Sequence, residues 1–268
     1  ALGNKEVPNF DAYSSIIKPS NNEPLLQPTL LRTGMSSLML DGINNLTIYS
    51  KNGAKITHVT TDITNSDNLI IRNIKFDEDW EWDEATAGDY DRNDWDYMTV
   101  EKGSQNIWID HCTFYKAYDG IVDVKTPVNS SNVTISWCSF LPGSENNKFF
   151  DEMMNKLEAD PNSYPYYKSL MDAGMSKEQI YQYAYSQKKT SLMGQNDSDT
   201  SAAQIYATLA NNYYKDSMDR MPRMRFGTAH VYNCIMDSQD NMNSRNAIAK
   251  TAGVDVADHI VSNGSTSC

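Results

Sequence analysis

The chain predicts an all-β fold, a parallel β-helix in which short strands coil into a solenoid. Three observations lead there. Asn45-Leu-Thr-Ile, Asn68-Leu-Ile-Ile, Asn106-Ile-Trp-Ile and Asn132-Val-Thr-Ile each set an asparagine before a short β-prone alternation. The last three run on to a phenylalanine at one offset, Phe76, Phe114 and Phe140. Weaker copies start at Tyr206 and Thr228, so that successive starts from Asn68 lie 38, 26, 74 and 22 residues apart. Intervals in the twenties match one solenoid turn, and longer ones a turn that carries an excursion. A leucine-rich repeat shares the period but demands leucines at fixed offsets, which this sequence lacks.

Residues 1 to about 35 are rich in Asn, Pro and Ser and read as irregular surface chain. No apolar run is long enough to span a membrane as a helix, and no basic-then-apolar leader opens at Ala1. The first long interruption, Asp77 to Trp95, carries nine carboxylates against Arg92 alone and reads as a solvated loop, of a length usually tied to function. Cys112 and Cys138 fall at one offset, with Cys234 recurring two turns later. They are either buried thiols in an internal ladder or, for the first two, a disulfide. Four cysteines, with Cys268, are too few for a disulfide scaffold.

Trp108 and Trp137 are assigned to packing of the stack. Asp110 and His111 read as a packed histidine with a hydrogen-bonded aspartate, because no serine in a nucleophile elbow accompanies them. The second interruption, 141–187, is a helical insertion before Lys189 within one domain spanning 1–268. Helical spacing covers Asn146 to Leu157 and Tyr166 to Ala173, and Ser176-Lys-Glu-Gln179 is a capping box opening a third helix to about Ser186. Its tyrosines and methionines are expected to pack on the solenoid rather than line a cleft.

The formal net charge of −12 argues against a general nucleic-acid binder. Against that background Arg220-Met-Pro-Arg-Met-Arg-Phe-Gly227 is a local reversal of sign, with Arg223 and Arg225 on one face of an extended segment. Asp94 and Asp96 also lie two apart, and Asp119 and Asp123 flank a glycine and two apolar residues. Stacked turns would bring the four carboxylates to one point, a hard-oxygen set suited to Ca²⁺. No His or Cys pair at zinc spacing accompanies them.

In order, Asp94-Trp-Asp96, Asn106-Ile-Trp-Ile-Asp-His111, Asp119-Gly-Ile-Val-Asp123-Val-Lys125, Val133-Thr-Ile-Ser-Trp137, Lys189-Thr-Ser-Leu-Met-Gly194 and Arg220 to Gly227 with His230-Val-Tyr-Asn233 resemble the pectate lyase family. The resemblance covers about Asn68 to Cys268 and implies a right-handed parallel β-helix acting on polygalacturonate by β-elimination. It implies Asp96, Asp119 and Asp123, with Asp94, as Ca²⁺ ligands. Lys189 and Arg225 fall where the family holds substrate carboxylates, Arg223 belongs to the same cationic wall or is structural to it, and Arg220 aligns with the proton-abstracting base. Pectin lyase action on the methylated polymer, without Ca²⁺, and a β-helix that binds polyuronate without cleaving it are the alternatives.

An arginine base needs explanation, because a guanidinium is ordinarily protonated. Lys189, Arg223, Arg225 and a divalent ion are expected to depress the pKa of Arg220. The polymeric substrate implies a secreted, extracellular or periplasmic protein, and a solenoid with its own complete core is expected to be a monomer. Neither end shows the capping helix or further turns usual in the family. The length of the helical insertion is also greater than the family pattern leads one to expect.

Overall fold

The computed structural model describes residues 37–80, 82–84, 87, 95–125, 131–186, 188–198 and 200–251, preceded by the paired strands Lys18–Pro19 and Pro28–Thr29. The repeated frames become the rungs of a solenoid. Rung one holds β1 (Ser37–Asp41) and β2 (Asn44–Thr57), and rung two β3 (Thr60–Thr64) and β4 (Asp67–Asp77). Rung three holds β5 (Met98–Glu101), β6 (Gln105–Asp110) and β7 (Thr113–Phe114), and rung four β8 (Val122–Val124), β9 (Ser131–Ser136) and β10 (Ser139–Phe140). Helices α1 (Lys148–Ala159), α2 (Pro165–Asp172) and α3 (Lys177–Ser186) then interrupt the coil. Rung five follows as β11 (Leu192–Met193), β12 (Ile205–Ala210) and β13 (Tyr213–Lys215). Rung six is β14 (Arg223–Met224), β15 (Thr228–Tyr232) and β16 (Ile235–Asp237), before α4 (Gln239–Thr251).

The first face is a six-stranded parallel sheet in the order β1-β3-β5-β8-β11-β14. The other two faces form one ten-stranded sheet, because β2 and β4 run through both. Its register matches the frames residue for residue: Asn132 pairs with Tyr206 and Tyr206 with Thr228, while Val133 pairs with Ile107 and Ile107 with Leu69. Inward rows such as Ile71, Ile109, Ile135 and Leu209 are buried, and parallel stacking places like over like along the axis. Phe76, Phe114, Phe140 and Tyr214 form a buried aromatic column with centroids 5.0, 5.4 and 4.6 Å apart. Cys112 and Cys138 are buried free thiols and Cys234 a half-buried one, each with Sγ 3.3 to 3.7 Å from strand carbonyls.

The capping box forms reciprocally, the Ser176 amide donating to Gln179 Oε1 at 2.8 Å and the Gln179 amide to Ser176 Oγ at 3.2 Å. The helices build a second core, in which Phe149, Phe150, Met153, Leu157, Tyr167 and Ile180 enclose Trp82 from the acidic segment. That segment is therefore no solvated loop where it is described: Asp77, Asp79, Asp83 and Glu84 are all buried. Glu84 explains why, since its carboxylate accepts the Tyr166 and Tyr167 amides at the start of α2, where unpaired N–H groups and the helix dipole favour an anion.

Two buried lysines bolt the insertion down. Lys116 lies 4.2 Å from the Trp80 ring centroid and donates to the Ala184 carbonyl in the last turn of α3. Lys188 donates to the Phe140 carbonyl at 3.2 Å and to the Lys215 carbonyl, joining rungs four and five where the helices part them.

Three sequence expectations give way here. Trp108 and Trp137 do not pack inside the stack: they stand on the outer surface, 39% and 57% exposed, because the apolar positions Ile107 and Ile109 take the inward rows. His111 lies with Nδ1 2.7 Å from Oδ2 of buried Asp110 but is itself about half exposed. Beyond the last rung, where no helix is expected, α4 packs against α3 with Asn241 Nδ2 bound to the Ser186 and Asp216 carbonyls.

Truncation of Phe140 to Ala should lower stability by about 3–5 kcal/mol, measured by urea unfolding, because both neighbours in the column lose their stacking face. Burial pulls the Lys188 pKa down to about 7. The unfolded chain then binds the extra proton between about 7 and the ordinary lysine value near 10.4, so stability should rise with pH across that window by up to ~1.4 kcal/mol per unit. Lys188→Met should flatten the slope between about pH 7.5 and 9.5; an unchanged slope would assign it elsewhere.

Candidate active site

The first face gathers most of the sequence-predicted site. Asp96 immediately precedes β5, Asp119 and Asp123 lie before and within β8, Lys189 opens the return from the insertion, and Arg220 precedes β14. Parallel register brings these sequence-distant residues onto consecutive rungs. Asp123 aligns with Thr99 of β5, and Leu192 of β11 with Arg223 of β14. Asp94 lies outside the described residues.

Each described aspartate of the set meets one cation. Asp96 Oδ2 is 3.0 Å from Lys125 Nζ, Asp119 Oδ1 is 2.5 Å from Lys189 Nζ, and Asp123 Oδ2 is 3.0 Å from Arg220 Nη1. Hydrogen bonds fix the carboxylates further. Thr99 Oγ1 donates to Asp96 Oδ2 at 2.9 Å, the Gly120 amide to Asp96 Oδ1 at 2.7 Å, and the Leu192 amide to Asp123 Oδ1 at 3.0 Å. A Cβ placed on Gly120 would meet Asp123 Oδ1 at 2.6 Å and Asp96 Oδ1 at 2.7 Å, so the missing side chain lets the two carboxylates close in.

Burial, with the neighbouring Asp96 charge adding to it, raises Asp119 to about 6 and pushes Asp123 well above the usual carboxylate range. The cluster is an acidic pocket that draws cations inward. Among the described residues no three carboxylates form a closed metal cage, because Lys125, Lys189 and Arg220 already occupy their faces. The donor type nevertheless suits a hard divalent cation: carboxylate oxygens of Asp96 and Asp123 close on Gly120, with Asp119 one residue before it.

The three arginines diverge. Arg220 is buried, with a left-handed backbone (φ 66°) that turns its side chain into the aspartates. Arg223 points outward, 3.9 Å from Asp219, and Arg225 Nε holds Asp197 at 3.0 Å while its Nη1 bonds the Gln195 carbonyl. The expected depression of the Arg220 pKa does not occur in this arrangement. Burial works to lower it, but Asp123, Asp119, Asp96 and Asp219 outweigh burial and hold the guanidinium above its ordinary value. Lys125 and Gly120 are the contributors that sequence reasoning passed over. Lys125 stands two residues after Asp123, a period-2 signal that it shares the outward face.

The sequence model of the pectate lyase family matches residues 36–148 and 180–258. The chain belongs to the pectate lyase family. The unmatched interval, 149–179, falls within the helical insertion. Among its relatives, pectate lyase B of Paenibacillus amylolyticus is 45% identical over 275 residues, covering 99% of this chain and 69% of that one. A pectate trisaccharide-lyase of Thermotoga maritima is 33% identical over 194 residues, covering 71% of this chain and 39% of the other. A solved pectate lyase from Paenibacillus sp. 0602 superposes with a TM-score of 0.76 at 46% identity, covering 83% of this chain and 50% of its own. This pectate lyase family member thus spans about half the length of that solved relative.

Gly120→Ala should cost about 1–3 kcal/mol through forced separation of Asp96 and Asp123. A urea midpoint equal to that of the parent would mean that the carboxylates part freely.

Proposed function

We propose that this chain cleaves polygalacturonate by β-elimination, with Arg220 as the base and Asp96, Asp119 and Asp123, with Asp94, as ligands of a Ca²⁺ ion. The observation that carries the reading is the placement of Arg220, a buried guanidinium aimed from a left-handed turn into a carboxylate cluster on one face of the coil. Family membership and the pectate lyase relatives support the substrate and reaction class.

In the reaction the C5 proton of a galacturonate is removed, the electrons of the C5–H bond form the C4–C5 double bond, and the C4–O glycosidic bond breaks, its oxygen leaving on the other fragment and taking up a proton from solvent to become a hydroxyl. Charge builds on the uronate carboxylate in the transition state, and groups that meet it there lower the barrier. Bound Ca²⁺ would supply Lewis-acid polarisation of that carboxylate. Lys189 stands beside Asp119 and can turn its ammonium to substrate, while Arg225 and Arg223 on the outer side of β14 offer guanidinium forks to further carboxylates along the polymer. Arg220 accepts the proton when neutral. With the carboxylates favouring its charged form, the neutral fraction is small and grows about tenfold per pH unit, so activity should climb through the alkaline range.

A polymeric substrate supports a secreted, extracellular or periplasmic protein; among the described residues no helix is long and apolar enough to cross a membrane. The core of the middle rungs is built from the side chains of one chain, which supports a monomer.

Absorbance at the unsaturated-uronide band on polygalacturonate, with and without chelator, tests the reading. Arg220→Lys should reduce the rate by roughly a thousandfold or more while calorimetric Ca²⁺ affinity stays within a factor of a few. Near-parental activity of that variant would remove Arg220 from the role, chelator-resistant cleavage would remove the metal, and faster action on methylated pectin would favour a pectin lyase.

A further inference from the structure

The second face carries a surface that the cleavage site does not use. Its outward rows run from Asn68 to Thr228, from Ile70 to His230 and from Arg72 to Tyr232. In a protein of net charge −12 those rows hold a single carboxylate, Asp110. Asp110 is buried, with Arg72 Nε 3.1 Å and His111 Nδ1 2.7 Å from its Oδ2, and Ser136 Oγ donating to its Oδ1 at 2.8 Å. What the face shows to solvent is aromatic rings, amides and hydroxyls, together with the half-exposed guanidinium of Arg72 beside the buried Asp110.

The two tryptophans are held rather than merely exposed. Trp108 donates its Nε1 proton to Ser136 Oγ at 2.9 Å, which fixes the ring plane through Ser136 to Asp110. Trp137, one rung on, stacks on His111 with centroids 5.9 Å apart and an interplanar angle of 22°. His111 is in turn held by Asp110, so one buried aspartate sets both rings. Trp137 also has a left-handed backbone (φ 54°) at a turn position where rungs two, five and six place Asn73, Asn211 and Asn233 and rung three places His111. Asparagine tolerates that conformation far better than a bulky aromatic does, and a ring 57% exposed recovers little by burial. A depression of about 340 Å³, lined by Asn106, Ile107, Trp108, Asn132 and Thr134, adjoins the first ring. Its volume falls in the range of small-molecule sites, and its amides and hydroxyl lie beside an aromatic wall.

We propose that this face binds a neutral polysaccharide, with pyranose rings stacked on Trp108 and Trp137 and sugar hydroxyls bonded to Asn106, Asn132 and Thr134. An aromatic plane offers the apolar C–H face of a sugar a large rigid contact at small entropic cost. A polyanion would gain little here, because the one guanidinium of these rows, Arg72, stands 3.1 Å from the Asp110 carboxylate that offsets its charge. The site would tether the protein to uncharged glycan while the first face, on another side of the coil, stays open to its own substrate. The tether stands independently of the cleavage chemistry.

The test uses the whole chain with chelator present, so that the cation-dependent site is silent. Retention on insoluble cellulose and retardation in gels containing soluble β-1,4-galactan are measured for the parent, Trp137→Asn and Trp108→Thr. The parent should bind at least one of these neutral glycans. Each variant should bind it roughly tenfold more weakly, the loss expected from removing one aromatic stacking contact. Cleavage of soluble polygalacturonate, assayed separately with Ca²⁺ restored, should be unchanged and the thermal midpoint should not fall, and Trp137→Asn, which relieves the left-handed strain, keeps the comparison valid if Trp108→Thr fails to fold. The proposal is overturned by no retention on either glycan, by variants that bind like the parent, by retardation in polygalacturonate alone, or by self-association that vanishes in Trp137→Asn.

Discussion

Everything in this molecule depends on register between parallel rungs. Because each strand pairs with the one a full turn away, a residue's neighbours along the coil axis are fixed by offset within the frame and not by distance in sequence. The aromatic column, the cysteine positions and the outward rows all descend from that one constraint. So does the carboxylate cluster: Asp96, Asp119, Lys189 and Arg220 meet because the first face stacks β5, β8, β11 and β14 without slippage. A one-residue slip would send the whole set into the core.

Electrostatics within the cluster gives the site its character. Three buried carboxylates within reach of one another's charge repel, and the chain answers with three of its own cations. A site so arranged is an exchange point: any cation that enters must compete with an internal one, and any internal cation displaced becomes available to an anionic ligand. Arg220 is the clearest case, since the same aspartates that attract it also hold its proton.

Much of this was legible in the sequence because repetition is legible. The frames at Asn68, Asn106 and Asn132, the phenylalanine offset and the Ser176 capping box all express local chemistry that recurs or closes on itself. Trp108 was misplaced although the signal existed: it alternates with Ile107 and Ile109, and a period of two sets it on the opposite face. Helix α4 could not be read, because its sequence of asparagines and small residues has no apolar stripe and it is placed by the hydrogen bonds of Asn241. Nor could the burial of Glu84 be read, because its partners are two backbone amides some eighty residues away. The left-handed turn at Arg220, which separates that guanidinium from Arg223 and Arg225, likewise leaves no trace in composition.

The excursion between rungs four and five bears on how such a fold changes shape over time. Cys138 and Asn212 touch across 74 residues, whereas Asn132 and Asn106 touch across 26. Closure entropy grows only with the logarithm of loop length, so the longer circuit costs about 1 kcal/mol more than the shorter. An addition of that size, furnished with its own core around Trp82, can therefore be gained, lost or reshaped while the rungs on either side keep their pairing. The coil behaves as a fixed chassis, and the bodywork beside it is free to diverge.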